Sequence, residues 1–99
     1  MGRGRVCMGS MARACGLVAA SNHRWDDAGH HLLSAQAVHR SIGALPLLAR
    51  TRYEWSTILL QRGRKGDRRR AAEWRRKSEE LATRFGMTRL LEEMARTGT

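Results

Sequence analysis

The sequence predicts an all-α fold in which antiparallel helix pairs stack as a short solenoid. Composition is the first reason: Ala, Leu, Arg and Glu dominate, β-branched residues are sparse, and Pro46 is the single proline of 99 residues. The second is period, because apolar residues recur at steps of three and four along three successive segments. The third is punctuation. Gly43, Gly63 and Gly86 each stand just past such a stripe, where a helix ends most cheaply in a left-handed residue.

Residues 1–8 (MGRGRVCM) are rich in Gly and Arg and predict an irregular, disordered start. Met11, Cys15, Val18 and Ala19 then allow a short helix over 9–20, and Ser21, Asn22 and His23 make a turn. A second helix is predicted from about Arg24 to Ile42, with Ala28, Leu32, Ala35, Val38 and Ile42 as its stripe. Asp26 and Asp27 lie in its first turn, where negative charge complements the helix dipole. The third helix opens at Pro46, whose missing N–H costs nothing there, and carries Leu48, Thr51, Trp55, Ile58 and Leu59. After the Gly63–Gly66 turn, Asp67 is the expected N-cap of a fourth helix with Ala71, Trp74, Ser78, Leu81 and Phe85 on one face. Thr88 then caps a short terminal helix with Leu90, Leu91 and Met94, and Gly98 and Thr99 are expected to be loose. The organisation is thus a first helical repeat over 9–43, a second over 44–86, and a terminal helix within 87–99.

Gly43-Ala44, Pro46, Leu48-Ala49-Arg50-Thr51, Gly63, Gly66-Asp67, Arg70-Ala71, Leu81-Ala82 and Gly86-Met87 together resemble a tetratricopeptide-like repeat. The version is that of the C-terminal region of large bacterial LuxR-type transcriptional regulators and adenylyl-cyclase-like signalling ATPases. The resemblance runs from about Gly16 to Met94. It implies that Gly16 is the small residue where the first helix meets its partner. It also places Ala28, Leu32 and Ala35 at the small–large–small positions of a second helix. Ala71 follows Ala28 by 43 residues, where the standard repeat has ~34. Arg75 and Ser78 stand where that pattern has a large apolar residue and an alanine.

The resemblance implies a non-catalytic protein-interaction surface lined by the first helix of each pair, with Arg50, Arg52 and Tyr53 as candidates. Such a module holds a peptide or a neighbouring domain, and exposed repeat edges allow self-association. Isolated repeats do not bury their apolar faces, and about three are normally needed. A C-terminal fragment of a larger signalling or transcription regulator is therefore expected.

The net charge of +10 is nearly all arginine. It is densest over Arg62–Lys77, where nine basic residues meet only Asp67 and Glu73. Arginine forks suit phosphates and carboxylates, so Arg64, Lys65, Arg68, Arg69 and Arg76 are candidate anion or partner contacts. The alternative function is a small basic nucleic-acid-binding protein that uses this cluster. The competing view is surface decoration, with Glu73 and Glu79 placed to pair one turn away with Lys77 and Arg75.

Several classes are disfavoured. Cys7 and Cys15 have no metal or disulfide spacing, and a reducing cytoplasm suits them. His23, His30, His31 and His39 contain no HxxxH pair, so solvated or partly packed histidines are expected and no metal. Gly63–Asp67 lacks the Lys-Ser/Thr ending and the preceding strand of a phosphate loop. Arg13 interrupts the only stretch resembling a secretion signal, and no apolar run approaches the ~20 residues of a membrane span. No nucleophile–base set has meaningful spacing, so neither an enzyme nor a cofactor is expected. Trp55 and Trp74 are expected to face each other as core rather than to stack on bases.

Overall fold

A computed structural model describes residues 2–97, with side chains from Gly9 onward. The described residues form five helices and no strand: α1 (Gly2–Ser21), α2 (Trp25–Ser41), α3 (Leu45–Arg62), α4 (Asp67–Arg84) and α5 (Thr88–Thr97). The all-α expectation holds. The first helix is longer than predicted, because the segment read as irregular through Met8 is helical from Gly2. Gly98 and Thr99 lie outside the described residues.

Three of the four turns are built alike. The amide of Arg24 donates to the Ala19 carbonyl, that of Ala44 to His39, and that of Met87 to Ala82, each at 2.8 Å. Each is the six-residue bond of a Schellman ending. The residue just before each donor is left-handed: His23 at φ 58°, Gly43 at 72° and Gly86 at 63°. The α3–α4 turn differs. Gly63 ends α3 with a single bond to Leu59, and Gly66, also left-handed, leads into α4.

Asp67 is not the N-cap that the sequence suggested. It is the first residue of α4, and its carboxylate accepts from Arg62 Nε and Nη2 at 2.7 and 2.6 Å and from the Arg64 amide at 2.9 Å. It thus closes the loop from inside. Thr88 is not a cap either, since its hydroxyl donates back to the Gly86 carbonyl.

The pairs α1–α2 and α3–α4 are hairpins, α2 packs on α3, and α5 folds against α4. Principal extents of 40 × 31 × 18 Å describe a slab about two helices thick. One core cluster joins the two hairpins through Ala19, Ala20, Ala28, Leu32, Trp55, Ile58, Leu59 and Ala71, with Trp74 packed at its edge. A second ties α5 to the rest through Ala49, Tyr53, Ala82, Leu90 and Met94.

Both departures from the repeat pattern have structural roles. The Ser78 hydroxyl, fully buried, donates to the Ala49 carbonyl at 2.7 Å. Arg75 Nη2 donates to the Met94 carbonyl at 2.7 Å, satisfying a C-terminal carbonyl of α5.

The face of α1 is the main correction. Gly9, Gly16, Ala19 and Ala20 point into the structure, whereas Met11, Cys15 and Val18 of the predicted stripe are exposed. A Cβ on Gly16 would lie 2.7 Å from Leu32 Cγ, so α1 and α2 meet at a distance only glycine allows. Phe85 likewise lies exposed just after α4, with Arg84 over its ring.

Candidate functional site

The structure scatters the three candidates on α3. Arg50 reaches across to α5 and donates to Glu93 at 2.7 Å. A parallel link joins α1 to α3, where Arg13 grips Glu54 through two nitrogens. The carboxylate of each pair belongs to the chain itself, so Arg50 is a brace between helices. Tyr53 is 4% exposed, and its hydroxyl shares a hydrogen bond with Thr97 at 3.0 Å. It is core rather than a contact residue.

Arg52 is different. Its side chain turns toward α4 and sets its guanidinium carbon 6.0 Å from the centre of the Trp74 ring. Lys77 Nζ lies over the same ring at 4.5 Å. Arg52 is half-buried and its Nε has no acceptor. Burial and the charge of Arg40 lower its pKa, while Glu80 acts the other way. Glu80 is itself bonded to Arg76 at 3.1 Å.

The cluster over Arg62–Lys77 divides into internal and free groups. Arg62 is committed to Asp67, and its hydrogen bonds, helped by the Arg64 amide, hold that carboxyl down to about 2 against the upward push of burial. Arg64 extends to Asp26 at 3.4 Å, Arg69 to Glu73 at 3.8 Å and Arg76 to Glu80 at 3.1 Å. The two pairs within α4 differ from the expected Glu73–Lys77 and Arg75–Glu79. Lys65, Arg68 and Arg70 are exposed without an ion pair among the described residues. Arg68 borders a cavity of about 270 Å³ together with Tyr53, Ser56, Leu60 and Arg75.

Two features escaped the sequence reading. His39 is fully buried rather than solvated or partly packed, and neither ring nitrogen has a partner. Burial, then the charge of Arg13, lowers its pKa. Its register was the available signal, since His39 continues the Ala28–Leu32–Ala35 stripe by one more turn. The other feature is the outer face of α1, where Met11 (67% exposed), Ala14, Cys15 and Val18 (60%) lie at steps of three and four. Beside it, a groove of about 360 Å³ runs between α1 and α2 along Ala14, Cys15, Val18, Asn22 and His31.

In comparisons with family models, curated proteins and solved structures, nothing matches this chain. Among the described residues no helix is long and apolar enough to cross a membrane. Nor does any group of three or more His, Cys, Asp or Glu side chains gather there in a way that could hold a metal ion.

Proposed function

We propose that this chain is a non-catalytic helical-repeat module that binds other proteins. The observation that carries the reading is the exposed stripe Met11, Ala14, Cys15 and Val18 on α1. Contiguous apolar surface on a folded chain marks interaction sites, and this spacing suits an amphipathic partner helix laid alongside. The resemblance over about residues 16–94 supports a role within a bacterial signalling or transcription regulator acting in the cytoplasm. The partner is then a peptide or a neighbouring domain.

Selection of peptides from a display library on the folded chain tests this. Enriched sequences should carry apolar anchors at helical spacing. They should lose at least tenfold in affinity for the double variant Met11→Ser/Val18→Ser, whose helicity stays unchanged because both positions are exposed. No enrichment, or binding indifferent to that variant, would overturn the reading.

A second reading rests on Lys65, Arg68 and Arg70, three cations without ion pairs beside the positive end of α4. A nucleic-acid backbone is the partner this arrangement suits. Duplex DNA affinity should fall steeply with salt, by roughly 0.9 log units per log unit for each phosphate contact. Arg68→Glu/Arg70→Glu should abolish it. Affinity that survives the reversal removes this reading.

A further inference from the structure

Most of the arginines at the helix interfaces answer to a group within the chain. Arg13 has Glu54, Arg50 has Glu93, Arg62 has Asp67, and Arg75 has the Met94 carbonyl. Arg52 breaks this rule. Among the described residues it makes no ion pair and no hydrogen bond, although it is half-buried and its Nε is shut off from water, and the carboxylate that acts on it, Glu80, is already bonded to Arg76. Its neighbours make matters worse: Arg40 on α2 is within electrostatic reach, and Lys77 shares the Trp74 ring. Cation–π contact with one indole offsets only part of the cost of desolvating a guanidinium beside like charge.

An arrangement that is unfavourable in the isolated chain becomes favourable when an anion arrives. We propose that Arg52 and Lys77, over the half-exposed ring of Trp74, form the docking point for an acidic segment of a partner protein. The proposal rests on the protein-interaction reading and adds to it a second contact and a partner chemistry. A carboxylate meets the Arg52 guanidinium beside the Lys77 ammonium, and an adjacent apolar side chain of the same segment lies on the indole. The planar fork of Arg52 offers two parallel donors to one carboxylate.

Peptide is favoured over nucleic acid by the surrounding charge. The outer face of α4 carries Glu73 and Glu80, each bonded to an arginine, and Glu79 is exposed nearby. A polyanion tracking along α4 would meet these carboxylates at successive phosphates. A short segment with one or two acidic residues meets the Arg52–Lys77 pair, where Glu80 acts but is already paired with Arg76.

The test uses the full chain and three labelled probes in fluorescence anisotropy: a peptide of alternating Glu and Phe, the same peptide with Gln for Glu, and a short DNA duplex. The Glu peptide should bind, the Gln peptide should bind at least tenfold more weakly, and the duplex should bind no better than the Gln peptide. Arg52→Gln should weaken the Glu peptide at least tenfold and Arg52→Lys less, since the charge stays and the fork goes. Arg89→Gln, which removes an equal charge from exposed α5, should change affinity less than twofold.

Circular dichroism provides the readout that a purely structural arginine would not satisfy. Because Arg52 has no internal ion pair or hydrogen bond, Arg52→Gln should unfold at the same temperature as the parent or higher. Equal losses for Arg52→Gln and Arg89→Gln would reduce the effect to the net charge and overturn the proposal. So would a lowered melting temperature for Arg52→Gln with unchanged peptide binding, or a duplex that outcompetes the peptide. If display-selected peptides depend on Met11 and Val18 but not on Arg52, the interaction reading stands and this site alone falls.

Discussion

Gly16→Ala is the sharpest test of how the first hairpin is held, because two ordinary effects predict opposite signs. Alanine in a helix interior is worth about 1 kcal/mol over glycine, so propensity alone predicts a more stable protein. The structure predicts the reverse. A Cβ at this position would lie 2.7 Å from Leu32 Cγ, 3.0 Å from Leu32 Cδ2 and 3.3 Å from the Ala28 carbonyl oxygen. Carbon–carbon contacts are optimal near 3.5–4.0 Å, so a shift approaching 1 Å is required. Leu32 is fully buried, its Cγ is not the free end of a flexible chain, and the Ala28 oxygen is backbone.

Overpacking of this kind costs about 1–3 kcal/mol. After the propensity gain, a net loss of roughly 1 kcal/mol remains, or ~4–8 °C in melting temperature for a domain of this size. Thermal and urea unfolding followed by circular dichroism measures it. The double variant with Leu32→Ala supplies the control. Leu32→Ala alone opens a cavity at a cost of about 2–5 kcal/mol, and the new methyl partly fills it. The pair should therefore lose less than the sum of the singles, by about 1 kcal/mol. A stabilised Gly16→Ala, or strictly additive variants, would refute the close approach of α1 and α2.

Other interactions have equally definite consequences. The Asp67 carboxyl is held at about 2, below its unfolded value of 3.8, so its contribution is complete above the unfolded value and fades as pH falls toward 2. Urea midpoints of the parent should drop across that window, and the drop should be shallower in Asp67→Asn. His39, depressed below 6.5 by burial and by Arg13, contributes stability while neutral above about pH 6.5 and loses it as pH falls through its folded value. His39→Gln should remove that part of the acid sensitivity, as urea midpoints between pH 7.5 and 5 would show. Ser78→Ala deletes the buried bond to the Ala49 carbonyl and should cost about 0.5–1.5 kcal/mol in the same assay, because the carbonyl loses its side-chain donor but keeps its place in the α3 ladder.

The helices and their C-terminal ends were legible because both signals are local. Gly43, Gly63 and Gly86 take up left-handed conformations where a stripe ends, as their placement required. The loop ending in Asp67 was misread for an equally local reason. A cap and an internal ion pair ask for the same residue type at the same place, and only the return of Arg62 across five residues decides between them. The charged candidates were less legible still. Arg50 and Arg52 are two apart on one helix, yet one finds Glu93 on α5 while the other finds an indole and two cations. No local pattern specifies which distant helix a long side chain meets.

The inverted face of α1 follows from a conflict between two uses of apolarity. Hydrophobic periodicity ranks side chains by how much they gain from leaving water, so it selected Met11, Cys15, Val18 and Ala19, of which only Ala19 is buried. Helix–helix approach ranks them by how little room they take. In α1 the second criterion wins, because Leu32 and His39 of α2 already fill the interface and leave space only for Gly16 and Gly9. Met11, Cys15 and Val18 are then turned to the opposite side of the helix, where nothing among the described residues covers them, while Leu17 packs at the edge of the core. For a helix held by its glycines, a stripe of Met, Ala, Cys and Val on the far face adds nothing to the hairpin. That uncovered face is why the proposed protein-interaction reading rests on α1 even though the charge is concentrated on α4.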